Sequence, residues 1–305
     1  MNFDLSDDQL ALRDGVRRLC HGRFDMARVR KGFDRGVFTE LADAGVFSLR
    51  ADGFGWTDVS IAFQELGRAL VPGPLAWSHL AHGHLDGVVG GIERPASGAP
   101  ILVEHPDAID ALAVIDDDGV TVVTSNELGA ATALDWPLDP LTPASRVDAL
   151  PDGRRVGDAE LARGWRQGGA LLTAAYQVGM AQACVDQAAR YALERHQFAR
   201  PIGSFQAVKH LLADMAVRAE VARAAVDAAA CIADDPAAGD GVRAVSGAKL
   251  IAGEAALQNA KGSLQVHGGM GFTWDVDVHL YLKRAWVLDT VFGTPGEHAD
   301  AVVSS

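Results

Sequence analysis

Cysteine is scarce in this chain, and its pattern excludes two classes of small, cross-linked domain. The three cysteines, Cys20, Cys184 and Cys231, are odd in number, far apart and form no Cys-x-x-Cys pair. A disulfide scaffold or a cysteine-based zinc module needs more cysteines at closer spacing. We therefore expect reduced thiols in a cytoplasmic protein.

Long apolar runs are also missing. No stretch reaches the roughly 20 apolar residues that a membrane helix requires. The first residues show no basic region followed by an apolar segment, which is the pattern of a signal peptide. The sequence therefore predicts neither a membrane partner nor secretion.

Basic residues are in the minority, with 27 Lys and Arg against 40 Asp and Glu and a net charge of −13. A protein of this charge repels nucleic acid and anionic membranes, so neither is expected as a partner. An anionic small molecule stays compatible with the sequence, because local basic groups decide its binding. The 305 residues, 49% of them hydrophobic, can form a full globular core.

The first 157 residues divide into a helical segment and a β segment. Residues 1–95 predict an N-terminal helical domain, which opens with a capping box of Ser6 and Gln9. Residues 96–157 predict an abbreviated β domain with proline-marked loops. Its expected strands lie at 101–103, 111–115 and 120–123. The histidines before it predict a partly solvated linker, since no cysteine completes a zinc site near His79, His82 and His84.

The remaining residues, 158–305, show the spacing of long amphipathic helices. Their short connections favour an antiparallel four-helix bundle. The expected helices lie near 158–196, 205–233, 240–266 and 275–290. The fold class is therefore mostly α with a small β region.

Two joints of the expected bundle carry residues suited to a dinucleotide. Arg195 and Phe198 follow a helix end, where a guanidinium can bind phosphate and a ring can stack on a flat heterocycle. Gln206 begins the next helix, whose free amide groups favour anions. In the second joint, Gln265 offers an amide, and the glycines that follow allow a backbone to approach a ligand closely.

These joints resemble two sequence blocks of the acyl-CoA dehydrogenase family, flavoenzymes that desaturate acyl-CoA thioesters. The first block is Arg-x-x-Phe-Gly-x-x-Ile-x-x-Phe-Gln, and the second is Gln-x-x-Gly-Gly-x-Gly. Only the glycine of the first block differs, being Ala199 here. The resemblance implies contacts to the adenosine and pyrophosphate part of FAD from Arg195, Gln197, Phe198, Gln206, Gln265, Gly268 and Gly269. It also implies that the FAD is shared with a neighbouring subunit.

The catalytic base of the family is missing from both of its known positions. One position holds Phe292, before Gly-Thr, and the other holds Gly169. The segment that cradles the flavin ring is also absent from the middle of the chain. No residue of this chain is therefore expected to be catalytic, and no metal site is expected.

This combination resembles the short, non-catalytic subunit of actinobacterial heteromeric acyl-CoA dehydrogenases of steroid catabolism. The resemblance implies an α2β2 assembly with a larger catalytic subunit. It further implies an acyl-CoA substrate derived from a steroid, and electron-transfer flavoprotein or a similar electron acceptor. Two alternatives stay open. The chain could be a self-sufficient homomer with Asp289 or Glu297 as a displaced base, or a flavin-free structural member of the fold.

Overall fold

The computed structural model describes residues 4–95, 99–129 and 131–304. The described chain forms two compact units. The first combines the chain up to Met26 with Gly55–Val71 and with everything from Ala170 onward. The second combines Ala27–Phe54 with Pro72–Gly169. The domain boundaries predicted at residues 95 and 157 rest on changes in the sequence pattern, and they stay a prediction.

Ten α-helices are present among the described residues. They are α1 (Asp7–Arg23), α2 (Met26–Val29), α3 (Arg35–Asp43), α4 (Trp56–Arg68), α5 (Leu75–Ala81), α6 (Ala159–Glu194), α7 (Gln206–Asp234), α8 (Gly241–His267), α9 (Val278–Leu288) and α10 (Pro295–Ser304). No helix within the described ranges is long and apolar enough to cross a membrane.

Nine strands accompany them in the described part of the chain. They are β1 (Val89–Glu93), β2 (Ile101–Glu104), β3 (Ala111–Ile115), β4 (Gly119–Thr124), β5 (Ala131–Ala133), β6 (Ala144–Val147), β7 (Arg154–Asp158), β8 (His196–Gln197) and β9 (Arg200–Pro201). The first seven belong to the second unit.

In the first unit, the helix starts follow local capping chemistry. The predicted capping box is confirmed. The backbone N–H of Gln9 donates to Ser6 Oγ, and the backbone N–H of Ser6 donates to the side-chain Oε1 of Gln9. The start of α4 is capped from a distant helix. The Asp234 carboxylate at the end of α7 accepts from the backbone N–H groups of Trp56 and Thr57. Two of the N–H groups that the start of α4 leaves without a helical partner are thereby satisfied.

Two glycines let α4 and α6 pack very closely. A Cβ added to Gly67 would lie 1.9 Å from the Tyr176 carbonyl oxygen, and one added to Gly179 would lie 1.9 Å from the Gln64 carbonyl oxygen. Any side chain there would separate the helices. The Tyr176 hydroxyl also donates to the Val71 carbonyl at 2.9 Å, so the contact is fixed beyond the end of α4.

The centre of the bundle is α8, which packs on α7, α9 and α10. The buried Asn259 amide of α8 donates to the carbonyl of Ala181 in α6 at 3.2 Å and to that of Met215 in α7 at 2.9 Å. One side chain therefore fixes three helices. The four predicted helices agree with α6 to α9 within three residues at each end. The sequence did not predict α10.

The second unit contains two small sheets. One has the strand order β1-β3-β4-β7, with β1 parallel to β3 and the other pairs antiparallel; the other is antiparallel with the order β2-β6-β5. The three predicted strands correspond to β2, β3 and β4. In the turn between β3 and β4, the Asp116 carboxylate accepts from the Asp118 and Gly119 N–H groups.

The expected linker around the histidines is only partly correct. His79 lies in α5 and is 3% exposed, whereas His82 and His84 are exposed. The His79 ring nitrogen Nδ1 lies 3.3 Å from the Val46 carbonyl. Burial lowers the pKa of His79 to about 4, so it is neutral at pH 7. No group of three potential metal ligands exists among the described residues.

Candidate functional site

The joint between α6 and α7 is a strained hairpin. Strands β8 and β9 pair antiparallel, and the two residues between them, Phe198 and Ala199, have φ angles of 54° and 64°. Two-residue hairpins favour this geometry, but they normally use Asn or Gly for it. The ring of Phe198 is 88% exposed. The Phe198 ring is thus held in the solvent by a backbone conformation that is unfavourable for a residue with a Cβ.

Neighbouring groups continue this surface toward the start of α7. The Phe198 ring lies edge-on to the ring of Phe205, with centroids 6.1 Å apart, and the Arg200 guanidinium lies 4.2 Å from the Phe205 centroid. Gln206 follows as the first residue of α7 and is exposed. The sequence analysis missed Arg200 as part of this surface, because its contact with Phe205 forms only when the hairpin folds.

The joint between α8 and α9 is built on glycine. Gly268 ends α8 with φ 61°, and its N–H donates to the carbonyls of Gln265 and Leu264. A Cβ added to Gly269 would meet nothing within 4 Å, so packing within this chain does not require glycine there. Exposed aromatic residues follow the glycines, with Phe272 77% and Trp274 57% exposed. The sequence analysis did not identify these two as site candidates.

A ring stack brings the two joints together at one end of the bundle. Tyr191, near the end of α6, stacks on His267, the last residue of α8, with centroids 4.2 Å apart and planes 25° apart. His267 is buried, and its Nδ1 contacts the Ser263 carbonyl at 2.8 Å. It is therefore a packing residue. The predicted ligand residues flank this stack.

The predicted ligand residues themselves face solvent. The side chains of Arg195, Gln197, Phe198, Gln206 and Gln265 are all exposed, as are Gly268 and Gly269. Within the described chain, the Arg195 guanidinium has no hydrogen-bonding or ion-pair partner. A free guanidinium, an exposed ring, amides and accessible backbone N–H groups suit a dinucleotide with phosphates and a heterocycle. These residues fit such a group.

The turn that contains Phe292, where the family has its catalytic base, is buried and is fixed by His298. Phe292 is 4% exposed with φ 56°, and its carbonyl oxygen lies 3.0 Å from His298 Nε2. Gly293 has φ 108°, and an added Cβ would lie 2.8 Å from His298 Nε2, so only glycine fits. The second position, Gly169, lies in α6 and is buried. Neither position offers a group that can accept a proton.

The two candidates for a displaced base have other contacts. Glu297 accepts from the backbone N–H and hydroxyl of Thr294 at 2.7 and 2.8 Å. These hydrogen bonds hold the pKa of Glu297 below its usual value, which makes it a weaker base. Asp289 lies near the ammonium group of Lys249, which donates to the carbonyls of Leu288 and Asp289. Each carboxylate therefore already interacts with another group of this chain.

Comparison with known proteins decides the classification. Residues 166–303 match the family described as acyl-CoA dehydrogenase, C-terminal domain. The chain is also 37% identical over 302 residues to the acyl-CoA dehydrogenase IpdE2 of Mycobacterium tuberculosis, covering 92% of this chain and 91% of that protein. The chain belongs to the acyl-CoA dehydrogenase family.

Two further similar proteins bear on its organisation. The acyl-CoA dehydrogenase FadE34 of Mycobacterium tuberculosis is 35% identical over 348 residues, which cover 96% of this chain but 47% of that protein. A chain in the crystal structure of the ChsE4-ChsE5 complex from Mycobacterium tuberculosis superposes with a TM-score of 0.85 at 25% identity, covering 99% of this chain and 98% of that one. The predicted acyl-CoA dehydrogenase fold is thereby confirmed.

Proposed function

We propose that this chain is the non-catalytic subunit of a heteromeric acyl-CoA dehydrogenase and completes the FAD site of a larger catalytic partner. The observation that carries the proposal is a contrast between two surfaces. The residues that match the family's FAD contacts are exposed at one end of the bundle. The position that matches the catalytic base is a buried phenylalanine.

The likeness to FadE34 supports a divided enzyme. This chain matches less than half of that protein, so a second segment of similar length lies outside the match. One long chain and two shorter chains can provide the same set of domains. The solved structure that resembles this chain is likewise a complex of two named proteins. The α2β2 stoichiometry in this proposal rests on the resemblance to heteromeric acyl-CoA dehydrogenases.

The family reaction requires a base for the α-proton and an acceptor for the β-hydride. FAD, which acyl-CoA dehydrogenases generally bind, supplies the acceptor when it is bound. In the proposed assembly the partner supplies the base and the cradle for the flavin ring. In this chain, Arg195 would neutralise phosphate charge, and the exposed Phe198 ring would offer a stacking surface. Gln197, Gln206 and Gln265 would donate hydrogen bonds, and Gly268 and Gly269 would permit close backbone approach.

The substrate in this proposal is a steroid-derived CoA thioester, and its class rests on the resemblance to heteromeric enzymes of steroid catabolism. The electrons pass to electron-transfer flavoprotein or a similar acceptor. The low cysteine content supports a cytoplasmic location. The predicted division into segments 1–95, 96–157 and 158–305 belongs to the same proposal.

The test is the flavin content of the tagged protein purified from its native host, with every co-purifying chain identified by mass spectrometry. The proposal predicts one FAD for each pair made of this chain and a larger acyl-CoA dehydrogenase. One FAD per copy of this chain, with no second chain, would instead support a self-sufficient homomer. Absence of flavin from an intact two-chain complex would support a structural member of the fold.

A further inference from the structure

The first unit contains a cavity of about 620 Å³ that the proposed function does not use. Its walls come from α1, α4, α6 and α7, and α6 contributes Val178, Gly179 and Gln182. Gln182 lies twelve residues before the end of α6, which is about 18 Å along a helix. The cavity is therefore separate from the exposed joints. Its volume is typical of a small-molecule site.

Arginine is the dominant charged residue of the cavity. Arg13 and Arg17 line it from α1, Arg68 from α4 and Arg223 from α7. Each of the four forms an ion pair with a carboxylate of this chain. The arginines therefore give the cavity directed hydrogen-bond donors and no excess of positive charge.

Carboxylates hold these guanidinium groups in fixed orientations. Glu65 accepts from Arg17 through both oxygens, at 2.6 and 2.9 Å. Asp186, which lies outside the lining, accepts from Arg68, and Asp14 accepts from Arg13. Because the arginines are oriented before a ligand arrives, less side-chain entropy is lost on binding.

Part of the hydrogen-bonding capacity that is left over consists of guanidinium donors. Both oxygens of Glu65 and both oxygens of Asp227 already accept hydrogen bonds. No residue in the described ranges accepts from Nη1 of Arg13 or Arg17, or from Nε and Nη1 of Arg68. Spare donors on cations are complementary to an acceptor-rich anion.

Apolar side chains also line the cavity. Leu10 of α1, Ile61 of α4 and Val178 of α6 each contribute hydrocarbon surface. An inorganic anion would leave this surface in contact with water, whereas a ligand with an apolar body would cover it.

We propose that this cavity binds a small amphipathic organic anion. The carboxylate or phosphate of the ligand contacts the spare donors of Arg68 and Arg13, and its hydrocarbon part lies against Leu10, Ile61 and Val178. The site does not depend on the proposed function, because none of these residues belongs to the exposed joints.

The experiment is isothermal titration of the protein, purified with any partner it retains, with four probes. Octanoate and octyl phosphate carry both parts of the proposed ligand, inorganic phosphate carries only the charge, and 1-octanol carries only the chain. We expect saturable binding of octanoate or octyl phosphate, at least about tenfold tighter than phosphate or octanol. The tighter of the two amphipathic probes distinguishes a carboxylate ligand from a phosphate ligand.

Substitutions in the cavity wall test whether the probe binds in this cavity. Arg68→Gln should weaken it about tenfold, the loss expected for a charge-assisted hydrogen bond, and Leu10→Trp should weaken it by filling the apolar wall. Arg35→Gln, in the second unit, is the matched control and should bind normally. Arg17 is a poor test, because its loss would leave the buried Glu65 carboxylate without its ion pair. Absence of saturable binding, equal affinity for phosphate alone, or equal binding by Arg68→Gln and wild type would overturn the proposal.

Discussion

His298 Nε2 lies 3.0 Å from the carbonyl oxygen of Phe292, and His298 Nδ1 lies 3.2 Å from Ser246 Oγ. A carbonyl only accepts, so Nε2 carries the proton and Nδ1 accepts from the serine hydroxyl. Burial lowers the pKa of His298, and the charge of Lys249 lowers it further, so the neutral ring persists at neutral pH. The turn that bears a base in acyl-CoA dehydrogenases is thus held here by an imidazole.

Restoring a carboxylate at this turn should destabilise the protein. Phe292→Glu places a charge where the native side chain is 4% exposed, and an unpaired buried charge costs about 3 kcal/mol or more. Burial raises the pKa of a carboxyl above its unfolded value. The destabilisation is therefore complete at high pH and shrinks as the pH falls toward the unfolded pKa. Urea unfolding between pH 8 and 5 measures this.

The matched control for this prediction is Phe292→Gln, which has the same shape as Glu but cannot ionise. Its loss of stability relative to wild type should not depend on pH. If the two variants respond to pH identically, the glutamate is solvated and the turn is not closed. In the native complex, Phe292→Glu should not raise the rate of acyl-CoA oxidation, because the proposed base belongs to the partner.

The hairpin between α6 and α7 should gain stability from glycine. Ala199 has φ 64°, where an L-residue with a Cβ is strained by about 1 kcal/mol relative to glycine. Ala199→Gly should therefore raise the free energy of unfolding by about 1 kcal/mol. Ala213→Gly, at an exposed position within α7, should lower it by a similar amount. Equal effects of the two substitutions in urea unfolding would contradict the strained turn.

The strengths and limits of sequence reasoning are visible in particular segments. The ends of α6 to α8 were predictable because Pro, Gly and capping residues mark them. Strands β1 and β7 were not, since Val-Gly-Gly-Ile-Glu and Arg-Arg-Val-Gly-Asp lack the alternation that identifies a strand. Helix α5 was not predicted, because Pro72-Gly73-Pro74 indicates the end of the preceding helix and gives no sign that a new helix begins. The site motifs were visible, but the Tyr191–His267 stack and the cavity between α1 and α7 depend on tertiary packing.

The buried His79 should make the protein acid-sensitive. Burial lowers its pKa to about 4, whereas the unfolded value is 6.5. Between these values the unfolded state binds more protons, so stability falls as the pH drops from 6.5 to 4, by up to about 3 kcal/mol. His79→Gln should remove this part of the pH dependence. His82→Gln, at an exposed position, should retain the wild-type dependence. Parallel curves for His79→Gln and wild type would show that His79 does not titrate in this range.

The role of Arg195 can be separated from any effect on folding. Its guanidinium is exposed and, in the described part of the chain, has no hydrogen-bonding or ion-pair partner. Arg195→Gln should therefore leave the Tm of this chain unchanged. In the complex from the native host, the same substitution removes a charge-assisted contact to phosphate and should weaken FAD binding about tenfold or more. The flavin absorbance retained per complex after dialysis measures the effect.

Arg190→Gln, on the exposed side of α6, is the matched control and should retain flavin like wild type. Equal retention by both variants would place the FAD away from this joint, and the proposed division of the site between two subunits would fail with it.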